Sequence, residues 1–250
     1  MTKLTLFKRC ILSLVLMGLS MSVSAEKVII FGATGNIGKS IVREALDRGH
    51  EVVGVSRSPD KFEYTEDNFT GVAGNPTVLE SVVQITKDAD MIINAVGGRD
   101  TSSPEETTMA LSAKAFSEAF AGQGEDGPQL VIIGGGLTTH GSKQKLIENL
   151  PPRASEDSAF RALFIGHWTA YEIYTESDIN WTFVSPPMRI IGFGRTPGED
   201  TRTGKYRTST EGFVKGADGK NIITKSDLAV AVLDFAEKRN FNQQKVALGY

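Results

Sequence analysis

The chain has 250 residues, of which 40% are hydrophobic, with 27 Lys and Arg against 30 Asp and Glu for a formal net charge of −3. That is enough apolar material for one large core and too little length for two comfortable domains, so a single α/β domain is expected. No basic block stands out, which excludes a nucleic-acid partner on electrostatic grounds, and the single cysteine excludes a disulfide framework.

The first residues read as a leader. Lys3, Lys8 and Arg9 precede an uncharged run from Cys10 to Val23, and Val23-Ser24-Ala25 places small residues at the −3 and −1 positions of a cleavage site before Glu26. These are the three parts of a secretory signal, giving a signal peptide over 1–25 and a mature domain over 26–250, exported to the periplasm. Cleavage would remove Cys10, the only thiol. The run is too short and serine-rich for a membrane span, which needs about 20 apolar residues, so no stable span is expected after cleavage. Lys8-Arg9 is not a twin-arginine pair. An alternative is translation from Met21, which would give a cytoplasmic protein.

Lys27 to Phe31 is a short apolar run of strand character that ends in G-A-T-G-N-I-G, residues 32–38. A buried parallel strand here delivers its end into a helix start, where phosphate can lie against bare backbone N–H groups. Gly32 permits the tight turn, Gly35 lets the main chain approach a pyrophosphate, and Gly38 lets the helix pack on the strand. Ala33, Thr34, Asn36 and Ile37 complete the loop. Ile37, Ile41, Val42 and Ala45 recur at helical spacing before a second apolar run, Glu51 to Val55, which makes a nucleotide-binding βαβ unit.

Where an NAD-preferring fold carries an acidic residue, this chain has Ser56 and Arg57. A hydroxyl and a guanidinium suit a 2′-phosphate, so NADP(H) is expected over NAD, with a solvated loop arginine as the alternative. Phe69 to Ala73 reads as a third strand. Asn75 follows, either near an adenine ring or shaping the turn into a helix over 77–86. Asp90 to Gly98 is an apolar strand ending in Ala95, Val96, Gly97 and Gly98, small enough to leave room for ribose and nicotinamide. Arg99 to Glu106 reads as a polar rim.

A helix over 107–121 and a fifth strand, Leu130 to Ile133, come next, the strand running into Gly134-Gly135-Gly136-Leu137-Thr138-Thr139-His140. A long aromatic-rich helix over 157–175 precedes a sixth strand in N-W-T-F-V-S-P-P, residues 180–187. Residues 190–220, rich in Gly, Thr and Arg, read as a small substrate-side lobe. Asp227 is expected to cap a last helix over 228–238, and Val246 to Leu248 to form a final strand. The expected class is therefore a single-domain, Rossmann-like, doubly wound parallel sheet with a small C-terminal lobe.

G-A-T-G-N-I-G, S-R-S-P, W-T-F-V-S-P-P and the terminal L-G-Y together resemble the atypical short-chain dehydrogenase/reductases of the NmrA-like and NADH-flavin-reductase-like type, over essentially all of residues 27–250. Ordinary members of that family use a Ser, a Tyr and a Lys four residues after the Tyr. A Glu commonly stands four residues beyond the Lys. If Glu172 is that residue, the lysine position is Trp168, the tyrosine position is Phe164, and the serine region is Gly134 to Gly136. All three positions then lack a proton-transfer group. The resemblance implies NADP(H)-dependent reduction of a planar acceptor, flavin- or quinone-like, which needs less proton transfer from the protein.

Phe164, Trp168 and Tyr171 would form a stacking wall for such an acceptor or simply pack in the core. His167, Tyr171 and Thr138 are the catalytic candidates, with His140 beside them. Three histidines without carboxylate spacing make no metal site. Some NmrA-like relatives are non-catalytic sensors, which leaves a dinucleotide-binding interaction protein as the second reading. A fold that has lost its nucleotide is a third.

Overall fold

The computed structural model describes residues 25–98 and 100–250. Residues 1–24 of the leader, with the Met21 start, and Arg99 lie outside the described residues. Strands β1 (Lys27–Phe31), β2 (Glu51–Ser56), β3 (Phe69–Ala73), β4 (Met91–Asn94), β5 (Gln129–Ile133), β6 (Trp181–Ser185), β7 (Arg189–Ile191), β8 (Arg207–Ser209), β9 (Ile222–Thr224) and β10 (Gln244–Gly249) alternate with helices. The helices are α1 (Asn36–Asp47), α2 (Leu79–Ile85), α3 (Thr108–Ala119), α4 (Lys143–Glu148), α5 (Ser158–Thr175) and α6 (Lys225–Lys238).

Eight strands form one sheet in the order β3-β2-β1-β4-β5-β6-β10-β8. Every pairing in it is parallel except that of β8 on β10. The alternation of side chains along a strand divides the core in two. Val28 and Ile30 point to the face covered by α1 and α6, while Ile29 and Phe31 point to the face covered by α2, α3 and α5. Both faces of β1 are therefore buried, which is why it reads as an unbroken apolar run. Each fully buried aliphatic or aromatic side chain contributes about 1.5–3 kcal/mol.

Strand order reverses between β1 and β4, and the crevice above that switch point is where a doubly wound sheet holds its ligand. Toward the C-terminal end of α1 a charge cluster clamps the helix to α6. Glu44, 4% exposed, accepts from Arg48 and Arg202 at 2.7–2.8 Å, and Arg48 reaches on to Asp234 and Glu237 of α6. Burial pushes the Glu44 carboxyl up, and the two guanidinium groups outweigh it and hold the carboxyl below its ordinary range.

The expected boundaries shift in several places. α2 begins at Leu79 because Thr77 is tied into the preceding turn, donating N–H and O–H to Asn75 Oδ1 at 3.1 and 2.9 Å. α6 is capped by Thr224, whose hydroxyl accepts from Asp227 N–H at 3.1 Å, and not by Asp227. The Asp227 carboxylate is spent on Thr203, Gly204 and the Tyr250 hydroxyl, pinning the 200–204 loop and the C-terminus to the helix start. Within 190–220, β8 extends the main sheet, while β7 pairs with β9 in a separate two-stranded sheet. No helix among the described residues is long and apolar enough to cross a membrane.

Candidate nucleotide-binding site

At the end of β1 the three glycines do different work. Gly32 has φ +78°, and a Cβ there would lie 2.7 Å from the Ala95 carbonyl oxygen, so both backbone sign and space demand glycine. The turn is fastened to β2, since Gly32 and Ala33 donate their N–H groups to the Val55 carbonyl at 3.2 and 3.3 Å. A Cβ on Gly38 would come 2.1 Å from the Gly32 carbonyl oxygen, which fixes how closely α1 packs on the turn.

Gly35 is the exception. Its φ of −72° suits any residue, and a Cβ would meet only the Gly32 carbonyl oxygen, at 3.0 Å. It stands at the N-cap of α1, and no side chain caps that end. The first N–H groups of the helix thus face outward with the positive end of the helix dipole behind them.

The turn and the Gly35 N-cap border a cavity of about 520 Å³. Gly32, Thr34 and Gly35 line it from the turn; Ser56 and Arg57 from the end of β2; Asn75 from the β3 side; and Ala95, Val96 and Gly97 from the end of β4. A Cβ on Gly97 or Gly98 would meet nothing within 4 Å, so the opening at β4 is real space. Ala33 is buried behind the turn. Asn36, Ile37 and Gly38 form the first turn of α1 without lining the cavity, and Ile37 packs toward the core.

Ser56 is a brace. Its hydroxyl lies 3.1 Å from that of Thr34 and accepts the Ser58 N–H at 3.1 Å, setting the course of the loop that carries Arg57. Arg57 is exposed on the cavity wall and makes no ion pair with a described residue. Asn75 lines the cavity while its Oδ1 shapes the turn. The polar rim folds inward further than its sequence implies: Asp100, Glu106, Thr108 and Leu111 also line the cavity. Asp100 accepts from the N–H and hydroxyl of Thr108, closing the loop onto the start of α3.

The catalytic candidates lie elsewhere. Thr138 is fully buried, donating to the Gly135 carbonyl at 2.6 Å and sitting 2.6 Å from the Ser185 hydroxyl. His167 packs against Gly135, where a Cβ would come 2.9 Å from the imidazole ring. Burial pushes its pKa down to about 4, so the imidazole is neutral at pH 7 and is no acid there. Tyr171 sits among Trp168, Trp181 and Phe183, with ring centroids 5.3–6.1 Å away, and burial raises its phenol. His140 stacks edge-on against Phe213 at 4.9 Å.

None of these four lines the cavity. Phe164 and Trp168 belong to a buried cluster with Leu137, Leu146 and Ile165. Core packing therefore describes them, and the stacking wall does not form. The Gly134 to Gly136 region has no room for a serine side chain, since a Cβ on Gly134 would strike the Phe183 ring at 2.0 Å and one on Gly136 the Pro186 carbonyl oxygen at 2.6 Å.

An uncapped helix start behind a glycine turn, set at the switch point of a parallel sheet, defines a dinucleotide-binding Rossmann protein, and the open backbone of Gly35 fits a pyrophosphate. The chain belongs to the NAD(P)H-binding family, whose model matches residues 32–239. Its cofactor is a nicotinamide dinucleotide.

The chain is 26% identical over 219 residues to the uncharacterised protein YwnB of Bacillus subtilis, covering 84% of this chain and 92% of that one. Among solved structures, a protein of Burkholderia pseudomallei provisionally designated an exported protein is 28% identical, with a TM-score of 0.70 over 90% of this chain and all (100%) of that one. A protein of Streptococcus pneumoniae provisionally designated an NADH-flavin reductase is 24% identical, with a TM-score of 0.70 over 90% and 99% of the two chains.

Proposed function

We propose that the protein is an NADP(H)-dependent reductase that passes hydride to a planar acceptor of flavin or quinone type, in an exported location. The observation that carries this reading is the sharing of one cavity by Gly35 and the guanidinium-bearing Arg57, which makes no ion pair with a described residue. A cofactor seated there supplies a hydride. The chain's own residues do the rest. The start of α1 binds the pyrophosphate, and Arg57 takes the 2′-phosphate as a charge-assisted pair. Ala95, Val96 and Gly97 leave space for ribose and nicotinamide, and Asp100 with Thr108 shapes the rim.

The positions matched to the family's Tyr and Lys hold Phe164 and Trp168 in the buried cluster, which favours an acceptor that needs no proton from the protein in step with the hydride. The pneumococcal neighbour's designation points the same way. For export, the fold supports the V-S-A boundary. Glu26 donates its N–H to His50 Nδ1 at 3.3 Å and Lys27 opens β1, so the sheet begins just after the boundary that follows Ala25.

Stopped-flow oxidation of NADPH with free FMN is the test. Reduction of FMN at a rate proportional to enzyme is expected, and no hydride transfer to any flavin or quinone would refute the reading. A non-catalytic sensor is the second reading, favoured by the absence of His167, Tyr171 and Thr138 from the cavity. It requires tight NADPH binding with no oxidation across the acceptor panel.

A further inference from the structure

A second site lies beyond the nucleotide cavity, toward the other edge of the sheet. Lys245 of β10 is a cation held without a carboxylate. Its ammonium donates to the Thr138 carbonyl at 2.7 Å and lies 4.4 and 4.9 Å over the rings of Tyr171 and Trp168. No ion pair to a described acid accompanies it. Desolvation lowers its pKa, the mark of a charge left short of compensation.

Beside it is a small cavity of about 50 Å³ that Lys245, Thr139, Ser209 and Glu211 help to line. Thr139 is 8% exposed, and its hydroxyl oxygen is buried with no hydrogen-bond partner among the described residues. A buried hydroxyl left so is costly and uncommon in a finished fold. Ser209 Oγ accepts the N–H groups of Glu211 and Gly212, both at 3.2 Å, which leaves its own hydrogen free to donate. Glu211 is exposed and forms no ion pair with Lys245, so it does not meet the need.

The site therefore presents donors: an ammonium and two hydroxyls around a space larger than the roughly 10–15 Å³ that one water requires. An oxyanion is the ligand chemistry that all three donors share. From β4, where the nucleotide cavity opens, to β10 there are three inter-strand spacings, about 14 Å in all.

We infer that Lys245, Thr139 and Ser209 bind the phosphate or carboxylate group of an acceptor whose planar part lies at the end of β4. The inference rests on the reductase reading for its acceptor and on the cavity alone for its anion. It narrows the substrate class to planar acceptors with an anionic tail.

Calorimetry with inorganic phosphate on the full mature chain, saturated with NADPH so that the glycine turn is filled, tests the site directly. Saturable binding is expected, at least tenfold weaker in Lys245→Met and several-fold weaker in the isosteric Thr139→Val, with both variants shown folded by circular dichroism. No saturable binding, or binding that neither variant weakens, overturns the site. The acceptor arm compares FMN with riboflavin, which lacks the phosphate. The ratio of their kcat/KM values is expected to fall about tenfold in Lys245→Met. An unchanged ratio alongside weakened phosphate binding overturns the tail assignment. Phosphate binding that depends on Lys245, without turnover of either flavin, upholds the anion site and refutes the reductase reading instead.

Discussion

Replacing Gly35 with alanine separates binding from folding at the glycine turn. The backbone there has φ −72°, which alanine adopts freely, and the added methyl touches only the Gly32 carbonyl oxygen at 3.0 Å. Mild crowding opposes the about 0.4–1 kcal/mol that a Gly-to-Ala change contributes through the unfolded chain, so the two effects nearly cancel and Tm should move by no more than about 2–4 °C. The methyl stands on the cavity side, where a phosphate must approach the first N–H groups of α1. Losing one hydrogen bond to a charged oxygen costs about 1.5–3 kcal/mol, which weakens NADPH binding roughly 10- to 100-fold.

Gly38→Ala is the contrasting control. Its Cβ would lie 2.1 Å from a backbone oxygen that cannot rotate away. Overpacking of that kind costs roughly 1–3 kcal/mol or more and should appear as a lowered Tm. Calorimetry gives the Kd and thermal denaturation the stability. A Gly35→Ala protein of normal Tm that binds NADPH within about twofold of the wild type would refute the placement of the pyrophosphate.

Three further outcomes follow from the same geometry. Arg57→Glu should weaken NADPH at least tenfold relative to NADH, since one charge-assisted contact is worth about 1.5–3 kcal/mol; equal losses for both cofactors would remove the 2′-phosphate from Arg57. His167 has a folded pKa of about 4 against 6.5 unfolded, so the unfolded chain binds the extra proton between them. Stability should be fully present above pH 6.5 and lost as pH falls toward 4, by up to about 3 kcal/mol, and a His167 imidazole seen by NMR to titrate near 6.5 would contradict the burial. Amino-terminal sequencing of the native protein should begin at Glu26, and a start at Met21 or Ser22 would sink export.

Much of the scaffold is legible in the residues because parallel strands buried on both faces must be apolar throughout. β1, β4, β5 and β6 announce themselves in this way, and Thr107 and Asp157 mark the starts of α3 and α5 as side chains that cap them. The three-residue strands β7, β8 and β9 carry no such mark. Each is short and a strand only because a distant partner offers its backbone, as β10 does for β8. α4 was equally silent, six residues with one buried side chain, Leu146.

The site divides along the same line. Glycine spacing and the residues after β2 are local properties, set by backbone sterics and by what a phosphate needs within one turn of chain. The sequence alone therefore determined where the glycine turn would lie and that Ser56 and Arg57 would stand beside it. Which side chains gather around that place is a matter of distance between segments far apart in the chain. Tertiary structure alone decided that Asp100 and Glu106 reach the cavity, that His167, Tyr171 and Thr138 are packed away from it, and that Lys245 reaches the Thr138 carbonyl across more than a hundred residues. Close packing admits one side chain to each space, and no local pattern records which one arrives.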